Sequence, residues 1–269
     1  MTRTRLDLEL VRRGLVPTRQ AAHEVIEAGR VVVAGRPAMK VETLVAASEP
    51  VAVEGAKAAF ASRGGDKISA ALDRFDLDLS GRRCLDAGSS TGGFTDVLLQ
   101  RGAENVIAVD VGYGQLAWKL RTDDRVTVME RTNIRDVRPE DLLYQPDLLS
   151  ADLSFISLAS IVPGLVALAA DGADLILLVK PQFESARSEV SEGGVVRDPS
   201  VWRSSVTSVA ESSRQAGAEP LAVMASPVPG PAGNIEFFLH ARVGAAPTHL
   251  DLTHALMEGE ELRSVKGAS

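Results

Sequence analysis

Between Arg82 and Val243 the chain alternates short apolar runs with amphipathic ones. The order is "RRCLDAG", "TDVLLQRG", "NVIAVDVG", "QLAWKLRTD", "RVTVMERT", "DLLSADLS", a helix over 156–170, "DLILLVK", a helix over 201–216, "LAVMAS" and "NIEFFLHARV". Apolar strands alternating with amphipathic helices predict a doubly wound, mainly parallel α/β sheet, because each crossover helix must cover one face of the sheet. The last two strands are joined by "PVPGPAG". That is too short for a helical crossover, so this pair is expected to be antiparallel. One further helix, "LTHALMEGEELR", is expected in the tail.

The N-terminal residues have a different character. "LDLELVRRG" reads as a helix stopped by Gly14, and Thr18 is suited to cap a second helix, "RQAAHEVIEAG", that ends at Gly29. "RVVVAGRPA" then reads as a strand with a tight turn at Gly35. A module this small, two short helices and a small sheet, suits surface recognition better than catalysis. The stretch "AKAAFASRGGD" is small, non-periodic and carries a glycine pair, so it reads as a connection. The expected domains are therefore 1–59, a linker over 60–66, an α/β domain over 67–245 and a tail over 246–269.

Charge separates the two parts. The net charge is −7, yet residues 1–67 hold eleven Lys and Arg against eight acids. Arg3, Arg5, Arg12, Arg13 and Arg19 crowd the first twenty residues. A basic end on an acidic protein suggests a polyanion-binding module, with a solvated helix face as the alternative. The single cysteine, Cys84, fits a reducing compartment, and four scattered histidines show no metal-site spacing. The N-terminus has no signal-peptide core and the most apolar region, 158–179, is broken by Pro163, Gly164, Asp171 and Asp174. A cytoplasmic protein without a membrane-spanning helix is expected.

In doubly wound sheets the ligand lies outside the carboxyl ends of the strands. The first strand here ends "LDAGSSTGGF", where Gly88, Gly92 and Gly93 are expected to let the backbone approach a ligand. The second strand ends on Asp110, placed to accept from both hydroxyls of a ribose. The loop lacks the G-x-G-x-x-G of a dinucleotide site and the Lys-Ser/Thr of a P-loop. S-adenosylmethionine, a nucleoside cofactor without phosphates, fits better, while a structural glycine turn and NAD stay open.

Three charged residues sit at strand ends of the same sheet. Asp152 closes "DLLSAD", Lys180 closes "LILLVK", and Glu236 opens the antiparallel strand "NIEFFLH". Topology brings them to one edge, beside the cofactor loop. Individually each has an ordinary explanation: a helix cap, a snorkelling lysine, a surface acid. A lysine between two carboxylates, however, is a neutralised way to bring an ammonium into a half-buried site. There it can draw the proton from a weak nucleophile such as a ribose hydroxyl, if a second cation and desolvation favour its neutral form. Lys67, at the start of "DKISAALDRF", is the candidate second cation.

"SRGGDK", "CLDAGSSTGGFTDVLL", "DVGYGQLAWKLR", "ERTNIR", "ADLSFISL", "LVKPQFE" and "GNIEFFLHAR" follow "LVRRGLVPTRQAAHEVIEAGRVVVAGRPA" in order. Together they closely resemble the TlyA (hemolysin A) family of ribosomal RNA 2′-O-methyltransferases over nearly the whole chain. The resemblance implies an S4-like α+β RNA-binding domain followed by an FtsJ-like, class I (Rossmann-like) methyltransferase domain. It places a catalytic tetrad on Lys67, Asp152, Lys180 and Glu236. S-adenosylmethionine is implied on Gly88, Ser89, Ser90, Thr91, Gly92, Gly93, Phe94, Asp110, Val111, Asn133 and Asp152. Ribosomal RNA is implied as partner, held by Arg3, Arg5, Arg13, Arg19 and Arg63. The implied reaction is 2′-O-methylation of a cytidine in 16S rRNA and, in the actinobacterial type, also in 23S rRNA, on 30S and 50S subunits. The chain departs from the family in the linker, where "AAFA", Ala58 to Ala61, stands for an Arg-Ala-Trp-Val stretch.

Two readings from other classes stand beside this one. A membrane-active protein is suggested by the hemolysin name and opposed by the lack of a spanning segment or an extended amphipathic basic helix. A non-catalytic RNA-binding assembly factor is opposed by the complete tetrad and glycine loop.

Overall fold

In a computed structural model of the chain, residues 3–53 and 60–267 are described. The N-terminal unit comprises β1 (Arg3–Arg5), α1 (Leu6–Arg12), α2 (Arg19–Glu27), β2 (Val31–Val33), β3 (Arg36–Pro37), β4 (Leu44–Ala46) and β5 (Val51–Val53). β1 pairs with β4, and β2 lies between β3 and β5, all antiparallel. Leu6, Leu10, Ala22, Ile26, Val31 and Val45 fill the core between helices and strands. Thr18 caps α2 as its sequence position suggests, its Oγ1 accepting from Ala21 N at 3.1 Å.

The larger unit opens with α3 (Gly64–Arg74), then β6 (Arg83–Ala87), α4 (Gly93–Gln100), β7 (Asn105–Val109), α5 (Trp118–Arg121) and β8 (Val126–Met129). It continues with β9 (Leu148–Ala151), α6 (Val162–Leu168), β10 (Asp174–Val179), α7 (Pro181–Glu184), α8 (Pro199–Gln215), β11 (Ala218–Ala225), β12 (Phe237–Val243) and α9 (Thr253–Gly267). The seven strands lie in the order β11-β12-β10-β9-β6-β7-β8. β12 is antiparallel to β10 and β11, while the pairs from β10 through β8 are parallel. The Rossmann-like sheet with its antiparallel last strand is thus as expected.

Strand alternation sorts the sheet into two faces. Leu175, Leu177 and Val179 join Phe237, Leu239, Leu149 and Ala151 in a core with α6, α8 and α9. Ile176, Leu178, Phe238 and Leu148 join the opposite core, with α3 and α4.

Three sequence expectations change. The expected linker ends in helix, because α3 begins at Gly64 and includes the glycine pair. A Cβ on Gly65 would lie 2.3 Å from the Phe60 side chain, so this glycine serves close packing. Of the altered linker, Ala58 and Ala59 fall outside the described residues, whereas Ala61 is buried and donates its N–H to Asp96 at 2.7 Å. The helix expected over 156–170 shortens to α6, since the Glu184 carboxylate takes the N–H of Leu158 at 2.5 Å and the Ser157 hydroxyl at 2.7 Å, holding that segment as a turn. The helix expected in "QLAWKLRTD" is the single turn α5.

Candidate active site

Period-2 geometry assembles the site. Asp152, Lys180 and Glu236 continue, one residue beyond their strands, the parity of Ser150, Leu178 and Phe238. That is the face covered by α3, and Lys67 arrives from the first turns of that helix. Lys67 Nζ donates to Glu236 Oε2 at 2.6 Å, with both side chains buried. Lys180 Nζ lies 2.5 Å from Asp152 Oδ1 and donates to Ser154 Oγ at 3.0 Å. The four groups line one cavity of about 250 Å³. Two ammonium groups face two carboxylates there, so the cluster carries no uncompensated buried charge.

A second cavity, of about 260 Å³, opens beside the first. Gly88, Ser90, Asp152 and Ser154 line both. Asp110, Val111, Ile134, Leu153 and Phe155 are among the residues that line only the second one. The Asp110 carboxylate accepts from Ser90 N at 2.8 Å and Gly112 N at 2.6 Å, which fixes its plane and leaves further lone pairs for a diol. An acid beside an apolar slot suits a ribose and a purine, and none of the side chains lining this cavity is a lysine or arginine that would answer a phosphate. The N-terminal turn of α4, where a dinucleotide would place its pyrophosphate, is packed by this chain itself. A Cβ on Gly93 would meet Ser62 Oγ at 2.3 Å and Gly65 N at 2.9 Å. These residues therefore fit S-adenosylmethionine and not NAD.

Gly92 and Gly93 lie against the protein's own side chains. A Cβ on Gly92, whose φ is +92°, would lie 2.2 Å from Leu120. Gly93 borders the lysine–carboxylate cavity as well as packing on Ser62, and Gly92 lines neither cavity. Gly88 does lie in the cleft, at φ +85°, with the Asp152 carbonyl where its Cβ would be. Ser89, Thr91 and Phe94 line the lysine–carboxylate cavity rather than the second cavity. Asn133 lines neither, since its carboxamide oxygen accepts from Arg135 N at 3.1 Å, while its neighbours Thr132 and Ile134 line the slot.

The arginines expected to hold RNA divide by geometry. Arg5 and Arg19 converge on buried Asp7, at 3.1 and 2.8 Å, and remain half exposed. Arg3 reaches Glu49 at 3.6 Å and Arg63 reaches Glu24 at 3.6 Å, both largely exposed. Arg13 differs: its donors go to Glu9 and to the carbonyls of Ala46, Ala47 and Glu49, and its side chain is 19% exposed. The neighbouring Arg12, 60% exposed, presents the more open guanidinium of that turn. Sequence reasoning did not find Ser154, Gln20 or Glu24. The last two extend from α2 to the lysine–carboxylate cavity beside Arg63.

Among the described residues no cluster of three metal-ligating side chains occurs, and no helix is long and apolar enough to cross a membrane.

Comparison with known proteins gives the family. Residues 60–243 match the FtsJ-like methyltransferase family and residues 4–51 match the S4 domain. The 16S/23S rRNA (cytidine-2′-O)-methyltransferase TlyA of Mycobacterium tuberculosis is 52% identical over 89% of this chain and 90% of its own length. A solved Streptococcus thermophilus structure designated a hemolysin has a TM-score of 0.79 at 35% identity, covering 100% of both chains. Another so designated, from Lactococcus lactis, has a TM-score of 0.72 at 41% identity, covering 77% of this chain and 100% of that one. Two lysine–carboxylate pairs beside a nucleoside cleft, an S4 domain ahead of an FtsJ-like domain, and this identity along both together place the chain in the TlyA family of S-adenosylmethionine-dependent methyltransferases.

Proposed function

We propose that the chain methylates the 2′-hydroxyl of a cytidine in ribosomal RNA, with 16S rRNA of the 30S subunit as one target and 23S rRNA of the 50S subunit as a second. The observation that carries this reading is the wall shared by the two cavities. Asp152 and Ser154 border both the nucleoside cleft and the chamber holding Lys67, Lys180 and Glu236.

When bound, S-adenosylmethionine supplies a sulfonium methyl group for in-line displacement. A ribose hydroxyl is a weak nucleophile until its proton is drawn off and its approach is fixed. As the neutral amine, Lys180 Nζ, delivered by the end of β10, takes that proton and becomes the ammonium that Asp152 balances, while Asp152 and Ser154 set its direction. Lys67, anchored by Glu236, offers its remaining N–H donors across the cavity to the attacking 2′-oxygen. Arg5, Arg19 and Arg63 hold phosphates, which positions RNA without reading its sequence. Target choice then rests on RNA shape and on a nucleotide displaced into the chamber.

The test is to incubate unmethylated 30S and 50S subunits separately with labelled S-adenosylmethionine and map the modified nucleotides. Label is expected on cytidine ribose in both. Label on a base atom, or on neither subunit, would overturn the assignment.

A further inference from the structure

Glu236 is held from one side by Lys67 and from the other by a backbone. The loop joining β11 to β12 closes on itself: Ser226 N donates to Glu236 O at 2.8 Å, and Gly230 N donates to Asn234 O at 2.9 Å. Buried Asn234 anchors it, accepting from Val196 N at 2.9 Å and donating to Gly194 O at 2.8 Å. Val228, Pro229 and Pro231 of this loop line the catalytic cavity. A Cβ built on Gly230 would stand 2.5 Å from Glu236 Oε1 and 3.3 Å from its Cδ, with Asn234 Cβ next at 3.7 Å. Gly230 is not among the residues with positive φ, so its backbone would accept alanine. What the absent side chain provides is room for one carboxylate oxygen.

We propose that Gly230 is a positioning residue for the methyl transfer, a seat on which Glu236 Oε1 rests so that Oε2 meets Lys67 Nζ. The inference rests on the methyltransferase reading above and adds a determinant of its geometry. With the loop tied at Ser226 and Asn234 and stiffened by prolines, the backbone at 230 has little freedom to retreat. An added methyl group therefore displaces the carboxylate, and the Lys67 ammonium moves with it or loses its partner.

The experiment compares wild type, G230A, E236D and the G230A/E236D double variant. Single-turnover transfer to unmethylated subunits, cofactor affinity by calorimetry, thermal melting and a crystal structure of G230A are measured. G230A is expected to slow transfer by roughly ten- to a hundred-fold, the range for small misplacements of reacting groups, with cofactor affinity unchanged. Because aspartate is one methylene shorter, E236D should cost much less in the G230A background than in wild type. In the crystal the Lys67–Glu236 distance should open from 2.6 Å. Transfer within two-fold of wild type, losses that simply multiply, an unchanged ion pair in the crystal, or a G230A chain that no longer folds would each overturn the seat. Should wild type transfer nothing while the crystal shows Glu236 displaced, the seat stands and the methylation reading falls.

Discussion

Lys67 and Glu236 are 169 positions apart in the chain and meet at 2.6 Å in a buried pair. Removing one partner leaves an uncompensated charge, at a cost of about 3–5 kcal/mol, whereas replacing both with apolar residues can be close to neutral. K67A and E236A are thus expected each to lose stability in denaturant titrations. K67M/E236L should recover most of it and remain inactive in methyl transfer. Recovery of activity with stability would show that the pair serves the fold alone.

The second pair separates binding from chemistry. K180A removes the proposed proton acceptor while leaving the Asp110 side of the cleft intact. Transfer should fall at least a hundred-fold, in the range of general acid–base catalysis. Cofactor affinity measured by calorimetry should stay within a few-fold of wild type, and unchanged transfer would exclude Lys180 from the reaction.

Asp110 carries the converse expectation. Its carboxylate is oriented by Ser90 N and Gly112 N before any ligand arrives. D110A is expected to weaken S-adenosylmethionine binding by about 2 kcal/mol, roughly thirty-fold, the worth of a hydrogen bond to a charged group. An affinity equal to wild type would move the ribose elsewhere.

Two buried carboxyls shape stability against pH in opposite directions. Burial raises Asp174, but hydrogen bonds from His240, Arg242 and Arg82 outweigh it and hold the carboxyl well below the ordinary 3.8. A depressed group contributes stability that is present above its unfolded pKa and lost as pH falls below it. Asp86 is fully enclosed, and burial pushes it up to about 6 despite hydrogen bonds from Thr95 and Ser150. Its contribution is complete below 3.8 and is lost as pH rises through about 6. Thermal melts should therefore show acid sensitivity that D174N lacks. They should also show a decline between pH 4 and 7 that flattens in D86N, and a D86N profile parallel to wild type would refute that origin.

The arginines make a paired prediction. Arg13 is bound into the small domain by Glu9 and three carbonyls, so R13A should lower that domain's stability. R19A, exposed beside Arg5, should instead weaken RNA binding and lessen its salt dependence, with a smaller loss of stability than R13A because Arg5 and His23 still hold buried Asp7. Equal effects of the two variants on both measurements would contradict this division.

Much of the site was legible because strands have a period of two. Asp152, Lys180 and Glu236 share one parity relative to their strands, and a reader who knows the strand order can place them on one face. The partner Lys67 was less legible, because α3 begins inside "SRGGDK", whose small residues resemble a connection. Glycine reports that something comes close without saying what. Gly88 meets the Asp152 carbonyl within the cleft, whereas Gly92 meets Leu120 in the core. The shortened α6 depends on Glu184, more than twenty residues downstream, a relation that no local pattern displays.

Gln20 and Glu24, on a helix of the small N-terminal unit, line the same cavity as Lys67, Asp152, Lys180 and Glu236. A chain stripped of residues 3–53 would keep both lysine–carboxylate pairs and the nucleoside slot, yet lose the part of the cavity wall that Gln20 and Glu24 form. Grafting a foreign RNA-binding head onto the remaining scaffold would then transfer affinity without turnover. A swap is expected to preserve turnover only if the new head also rebuilds the wall that Gln20 and Glu24 form.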